Sequence, residues 1–411
     1  MSNKTHENYD ICIVGGGIVG LSTAWQLQQN YPNKKVLLIE KEAEFGLHQT
    51  GHNSGVIHAG VYYQPGSLKA KFCKEGAAAT KAFCKQHQID FDECGKLLVA
   101  TNELELARLK ALETRCHENN IAIQWLDQTQ LNREEPNIKG LAAILVKATG
   151  IVNYQQICEK LAYLFIHLGG ELMTSSEVVG LSETANQIQL DVRSPSGNLH
   201  LYSRFIVACT GLMADRTTKM LGIKTDFQII PFRGEYYRLN KAHNQVVKHL
   251  IYPVPDPDLP FLGVHLTRMI DGSVTVGPNA VQGWKREGYA KLNFSLKDTL
   301  QMLFFPGFWR LLSNHWQTGL KETRNSWFKQ GYLKEVQKYC SQIKLDDLEA
   351  YPAGIRAQAV LKDGSLVHDF LFAQSKRSLH VCNAPSPAAT SAFPIGKYII
   401  EKLDEIMTEL E

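Results

Sequence analysis

Gly15, Gly17 and Gly20 stand at a G-x-G-x-x-G spacing, and Glu40 follows twenty residues after the last of them. Each glycine has a separate use in holding a dinucleotide. Gly15 permits a tight turn, Gly17 lets the backbone approach a pyrophosphate, and Gly20 lets a helix pack close to a strand. A carboxylate at Glu40 accepts hydrogen bonds from a ribose 2′-OH and repels a 2′-phosphate, which argues against NADP. A second group of chemically able residues fills the loop 46–60, which is dense in glycine, hydroxyl side chains and histidine. A neutral histidine is the natural base near pH 7. His58 is the first candidate because its loop is placed to lie over the cofactor; its plainer role is a hydrogen bond to backbone or cofactor. His265 is the second, although a lone strand histidine is more often structural. His48 and His52 have a metal-ligand spacing for a helix, but in this loop they read as cofactor or loop contacts.

The elements that must position these groups are legible around them. Residues 9–14 form a short buried strand that runs straight into the glycines. A helix from about 18 to 30 follows, with Leu21, Ala24, Trp25 and Leu27 on its apolar face and Pro32 beyond its end. Residues 35–39 form a second strand, ending at Glu40. The pyrophosphate would sit on the helix N-terminus, where free N–H groups and the dipole favour anions. A bare glycine-rich turn is the alternative, and the full strand–turn–helix–strand context argues against it. The chain holds one such fingerprint, and a nicotinamide site does not require the loop 46–60, so FAD is the expected cofactor. Further on, 67–87, 103–119 and 154–167 read as helices, 95–101 as a strand, and another strand ends near 177–179. Residues 205–211 form a buried strand running into Gly211. From 227 to 276 the alternation is strand-like and broken by Pro and Gly, as in an antiparallel sheet. The stretch from Ala388 onward reads as helical.

Composition narrows the class. A chain of 411 residues is expected to form two lobes. At 44% hydrophobic and 21% charged residues it is globular and not disordered. Lys+Arg 44 against Asp+Glu 41 leaves +3, too little excess for a nucleic-acid binder. The nine cysteines contain no Cys-x-x-Cys pair, so free thiols in a reducing compartment are expected, with no disulfide framework and no zinc site. Residues 1–10 are polar and do not read as a signal peptide. Mean hydropathy is -0.20. A soluble cytoplasmic protein is the expectation.

Several runs are more specific: HNSGVIHAGVYY at 52–63, PFRGEY at 231–236, IYPVP at 251–255 with FLGVH at 261–265, VGPNA at 276–280, PAGIRAQ at 352–358 and NAPSPAATS at 383–391. In this order they resemble the L-2-hydroxyglutarate dehydrogenases (oxidases), FAD enzymes of the D-amino-acid oxidase and sarcosine oxidase superfamily. The resemblance covers nearly the whole chain. It implies an α/β fold: a discontinuous Rossmann-like FAD-binding domain (1–92, 148–223 and 346–411) and an inserted α+β substrate domain (93–147 and 224–345) on a mostly antiparallel sheet. The implied FAD contacts are Gly15, Gly17, Gly20, Glu40, Thr50, His52, Asn53, Ser54, Val178, Gly211, Gly354, Ala388, Ala389 and Thr390. At 388–390 the backbone would open a helix toward the flavin, where an N-terminus favours negative charge.

The implied reaction is oxidation of L-2-hydroxyglutarate to 2-oxoglutarate. It needs a base for the hydroxyl proton, a hydride acceptor, and cations for the carboxylates. Arg356 is the candidate carboxylate anchor. The superfamily places an arginine in Gly-x-Arg-Pro, whereas Ala357 stands here where that pattern has proline. Arg233 is another candidate, with Tyr252 as a phenol donor. A second clamp for a dicarboxylate is left open among Arg233, Lys285 and Arg286, the last two reading more simply as a solvated surface pair. An amine or amino-acid oxidase of the same superfamily is the nearest alternative. A structural or assembly protein that keeps FAD without turnover is the alternative from another class. Oxygen and quinone both fit as electron acceptors, and no motif sets the oligomeric state. Residues 303–316 concentrate five aromatic side chains in a segment too short to span a membrane. A helical hairpin on the core is the ordinary reading; an interfacial patch that docks on a membrane and meets a quinone is the second.

Overall fold

The computed structural model describes residues 8–256, 263–290, 293–314 and 329–410. Residues 1–7 of the polar N-terminal stretch, 257–262 of the strand-like stretch 227–276 (including 261–262 of the FLGVH run), and His315 with Trp316 of the aromatic segment lie outside the described residues. Two large sheets organise the chain. The first has eight strands. At its centre, Asn8–Val14 runs parallel to both Val36–Ile39 and the long strand Gly197–Ala208. Glu171–Met173 extends one side and Ser378–Asn383 the other, both in parallel pairing. A parallel sheet is covered on both faces, which explains the unbroken apolar runs in these strands. Helices Ile18–Asn30, Tyr154–His167 and Ala392–Thr408 cover one face and share a core with Ile11, Ile13, Val36 and Leu38.

The second sheet has nine strands and is antiparallel except where Leu250–Pro253 runs parallel to Lys96–Ala100. Its order places Phe227–Leu239, Val274–Gly277, His265–Arg268, Leu250–Pro253, Lys96–Ala100, Ala142–Val146 and Gln124–Asp127 side by side. Alternation divides its two faces. Leu97 and Val99 join one core with Ile251 and Leu266, while Leu98, Ala100 and Tyr252 join another. A three-stranded sheet of Val56–Ile57, Gly150–Val152 and Phe91–Asp92 lies at the root of the histidine loop.

Three local readings change. Leu348–Leu361, placed with the FAD-binding block by the sequence division, instead pairs along its length with Phe227–Leu239 in the nine-stranded sheet. A fourteen-residue strand satisfies its backbone only beside a partner of similar length, and Phe227–Leu239 has thirteen. The C-terminal helix starts at Ala392 and not at Ala388, because Ser391 N–H bonds Pro387 O and Ala392 N–H bonds Ala389 O in tight turns first. Near 177–179 a strand begins, Glu177–Glu183, instead of ending. The aromatic segment divides its side chains. Phe305, Phe308 and Leu311 enter a core with Ile230, Met302 and Val360, whereas Phe304 and Trp309 face outward, 82% and 52% exposed.

Candidate active site

A cavity of about 760 Å³ lies against the carboxyl ends of the central parallel strands, within the usual range for ligand pockets of about 300–1,000 Å³. One end is built by contiguous sequence. Gly15 has φ +110°, and a Cβ there would meet Cys209 O at 2.4 Å. A Cβ on Gly20 would meet Gly15 O at 1.9 Å, so the helix can close on the turn only with glycine at that position. The helix Ile18–Asn30 has no side-chain cap and no acid in its first turn. Its first internal bond is Leu21 N–H to Gly17 O, so the N–H groups of Val19 and Gly20 have no partner within the helix. The Glu40 carboxylate accepts from Gly16 N–H at 2.6 Å and Glu42 N–H at 2.9 Å, and Thr50 Oγ1 accepts from Ile18 N–H at 3.1 Å.

These features suit a dinucleotide. The cavity wall runs from Glu40 and Val178 past Gly15, Gly17, Gly20 and Thr50 to Ala388, Ala389 and Thr390. It thus offers a ribose acceptor, a phosphate cradle at a helix end where the Val19 and Gly20 N–H groups have no partner within the helix, and a far end lined by backbone. Thr210 Oγ1, also on this wall, is buried without a hydrogen-bond partner among the described residues. His52, Asn53, Ser54, Gly211 and Gly354 line the same cavity. His52 stacks on Tyr289 with ring centroids 3.8 Å apart and its Nδ1 lies 3.1 Å from Ala353 O; His48 contacts Glu42 at 2.9 Å. Both histidines hold loop contacts.

His58 stands on the wall near the far end, together with Lys69, Tyr236 and Arg356. Thr390 fixes the segment that carries it. Thr390 Oγ1 accepts the His58 N–H at 3.1 Å, donates to Val56 O at 3.2 Å, and lies 3.0 Å from the Tyr154 hydroxyl. Burial pushes the His58 ring down to about 3, and the charges of Lys96, Lys69 and Arg356 push the same way. The imidazole is therefore neutral at physiological pH and able to take a proton. His265 is also held well below its ordinary value, by burial first and then by Arg356, His58 and Lys96. It stacks on Tyr252 with centroids 3.9 Å apart, and its Nδ1 lies 2.9 Å from Thr267 Oγ1. Neither His265 nor Tyr252 is among the side chains lining the cavity.

The sheet register brings an unforeseen cation beside them. Lys96 pairs opposite Leu250 on the face that carries Tyr252. Its side chain is wholly buried, and its Nζ has no hydrogen-bond partner among the described residues. The ammonium lies 4.5 Å from the centre of the Tyr62 ring and 5.1 Å from that of Tyr252. Burial pulls its proton affinity from 10.5 down to about 8. In sequence Lys96 is one lysine at the start of a strand, with no spacing signal to mark it. Lys69 was missed for the same reason.

Arg233 is not a free clamp. It is buried in an ion pair with Glu235, donates to Tyr289 O at 3.4 Å, and does not line the cavity. Arg286 is not a solvated surface residue. It is 2% exposed and makes a two-pronged ion pair with Asp215, with one bond of 2.9 Å. Lys285 remains exposed. All nine cysteines are free, and no helix among the described residues is long and apolar enough to cross a membrane.

Comparison with known proteins bears on this geometry. Residues 10–402 match the family model described as FAD dependent oxidoreductase. The chain is 55% identical over 399 residues to the L-2-hydroxyglutarate dehydrogenase of Escherichia coli strain K12, covering 97% of this chain and 94% of that protein. It is 40% identical over 414 residues to the mitochondrial L-2-hydroxyglutarate dehydrogenase of Homo sapiens, covering 97% and 89%. Among solved structures, the reduced L-alpha-glycerophosphate oxidase of Mycoplasma pneumoniae with FAD bound superimposes with a TM-score of 0.77 at 22% identity, covering 97% of this chain and 95% of that one. The glycine oxidase of Geobacillus kaustophilus gives 0.73 at 16%, with the same coverage. At those identities the two structures speak to the fold alone.

Proposed function

The chain belongs to the FAD-dependent oxidoreductase family, and from that membership and the cavity we propose that it oxidises L-2-hydroxyglutarate to 2-oxoglutarate. One observation carries the reading beyond the family: the neutral imidazole of His58 shares its cavity wall with two cations, Lys69 and Arg356, and every charged neighbour that shifts it is a cation. Such a chamber suits an anionic substrate that must lose a hydroxyl proton. The 55% identity to a protein named for this substrate supports the same assignment.

FAD, held by the glycine turn, Glu40, Thr50, Val178, Gly211 and the 388–390 backbone, supplies the acceptor for the two electrons and the hydrogen leaving substrate C2. Arg356 holds the carboxylate next to that carbon, where a guanidinium can make two parallel bonds. His58 takes the hydroxyl proton as the C2–H bond breaks and the C2–O bond becomes a carbonyl. Burial first, and then the cationic neighbours, keep His58 neutral, and the substrate's own negative charge offsets the cationic part. Its basicity therefore rises when the substrate is bound. Thr390 keeps the His58 backbone in place, and the turn leading into the helix Ala392–Thr408 presents a helix N-terminus, which favours negative charge at that end of the cavity.

The test is an anaerobic titration of the purified flavoprotein with L-2-hydroxyglutarate. Bleaching of the flavin absorbance with formation of 2-oxoglutarate is expected; a flavin that is unchanged by this acid but reduced by an amine or amino acid would replace the reading. Electrons then pass to quinone or oxygen. Phe294, Leu296, Leu300, Phe304, Trp309 and Leu312 are exposed apolar side chains within one stretch, 294–312, which supports a peripheral contact with a membrane surface where a quinone could be reached. Loss of sedimentation with vesicles on changing Leu300, Phe304 and Trp309 to Ser is the expected result. A wild-type protein that never sediments would end that part.

A further inference from the structure

Two carboxylates need two cationic partners, and the structure removes the candidates suggested by sequence. Arg233 and Arg286 are committed to Glu235 and Asp215, and Lys285 points to solvent. Lys96 is charged but sealed behind the wall. Of the other cations on the wall, Lys41, Arg193 and Arg216 are ion-paired with Glu287, Glu177 and Asp298, and Lys297 is exposed on the helix Leu296–Leu303. Lys69 differs from all of these.

Lys69 is the second residue of the helix Leu68–His87. A cation there opposes the helix dipole, and that first turn contains no acid to offset it. The helix has its needs met elsewhere: Ser67 accepts from Ala70 N–H, and the Asp369 carboxylate accepts from Leu68 N–H at 3.1 Å and Lys69 N–H at 3.0 Å. The ammonium is thus not serving the helix end. Its Nζ donates to His368 O at 3.3 Å and lies 5.0 Å from the Tyr63 ring centre, which leaves donor capacity on a group with three N–H bonds. It lines the cavity with His58 and Arg356. Burial lowers its proton affinity, Asp369 raises it, and Arg356 lowers it again, so Arg356 is near enough to be felt.

We propose that Lys69 is the clamp for the distal carboxylate, with Arg356 on the carboxylate beside the reacting carbon, and that it makes the site select dicarboxylates over monocarboxylates of equal length. This rests on the function proposed above and names the residue that enforces its substrate class.

The experiment compares glutarate and pentanoate, a diacid and a monoacid of one length that cannot be oxidised at a hydroxyl group. Their dissociation constants for the holoenzyme are read from perturbation of the flavin spectrum. A charge-assisted hydrogen bond of about 1.5–3 kcal/mol corresponds to roughly 10- to 150-fold in affinity. Wild type should prefer glutarate by at least about tenfold; Lys69→Met should collapse that ratio toward one, and Lys69→Arg should restore most of it. Lys69 is partly exposed, so neither variant threatens the core, and flavin content verifies each protein. A Lys69→Met protein that keeps the wild-type ratio, or a wild type with no preference, overturns the proposal. If the ratio collapses as expected while L-2-hydroxyglutarate fails to reduce the wild-type flavin, the clamp stands and the assigned substrate falls.

Discussion

Replacing Lys96 with Met removes a buried charge that the fold carries at a cost. The side chain is wholly buried without a hydrogen-bond partner among the described residues. Lowering its proton affinity from 10.5 to about 8 corresponds to about 3 kcal/mol of destabilisation while the ammonium stays charged. The Tyr62 and Tyr252 rings return about 1–2 kcal/mol of that, since a desolvated cation over an aromatic face is attracted to it. Met has a similar length and its own affinity for aromatic rings, so Lys96→Met should gain about 1–3 kcal/mol at pH 7. An unfolding entropy of roughly 2.1 cal/mol/K per residue over 411 residues makes each kcal/mol about 1 °C.

The sign with pH follows from the direction of the shift. Above 10.5 lysine is neutral in both states and the penalty is absent. As pH falls from 10.5 to about 8, the unfolded chain takes up the proton first and the folded state loses stability; below about 8 the full penalty applies. Melting of wild type and variant, followed by release of flavin fluorescence, should therefore differ by about 1–3 °C at pH 7 and by less than half as much at pH 10. A variant no more stable than wild type at pH 7, or one whose advantage is equal at both pH values, would refute the buried-charge account.

Three further outcomes are expected. Gly20→Ala places a Cβ 1.9 Å from Gly15 O; the helix must withdraw, and purified protein should carry little flavin, read from the ratio of visible to ultraviolet absorbance. Thr390→Val leaves the His58 N–H and the Tyr154 hydroxyl without their shared oxygen, so stability should fall by about 1–3 kcal/mol and flavin reduction should slow; a denaturation curve and a stopped-flow trace check the two effects. Because burial and three cations hold His58 near 3, the free enzyme keeps it neutral as pH falls through 6.5, so kcat/KM should show no acid limb there, whereas His58→Gln should slow flavin reduction at every pH by about 100-fold or more.

The dinucleotide cradle was legible because its parts are contiguous. The turn, helix and second strand are set by residues 9–40, and a close approach such as that of Gly20 to Gly15 is fixed by five residues of spacing. The histidine loop was legible as composition, and the runs at 352–358 and 383–391 marked where the chain returns to the cavity, though not that Leu348–Leu361 would pair with Phe227–Leu239. Which side chains share the substrate end was decided only by tertiary structure. Lys69 sits at a helix start, Lys96 and Arg356 on separate strands, and His58 in a loop, and neither periodicity nor spacing relates them. Arg233 shows the converse: its position beside a conspicuous motif suggested a ligand contact, but folding gave it Glu235. A charge acts over several ångströms through whatever surrounds it, so its role depends on neighbours contributed by distant segments. The sequence determines that this chain binds a dinucleotide; sheet register and helix docking decide which cations gather around His58.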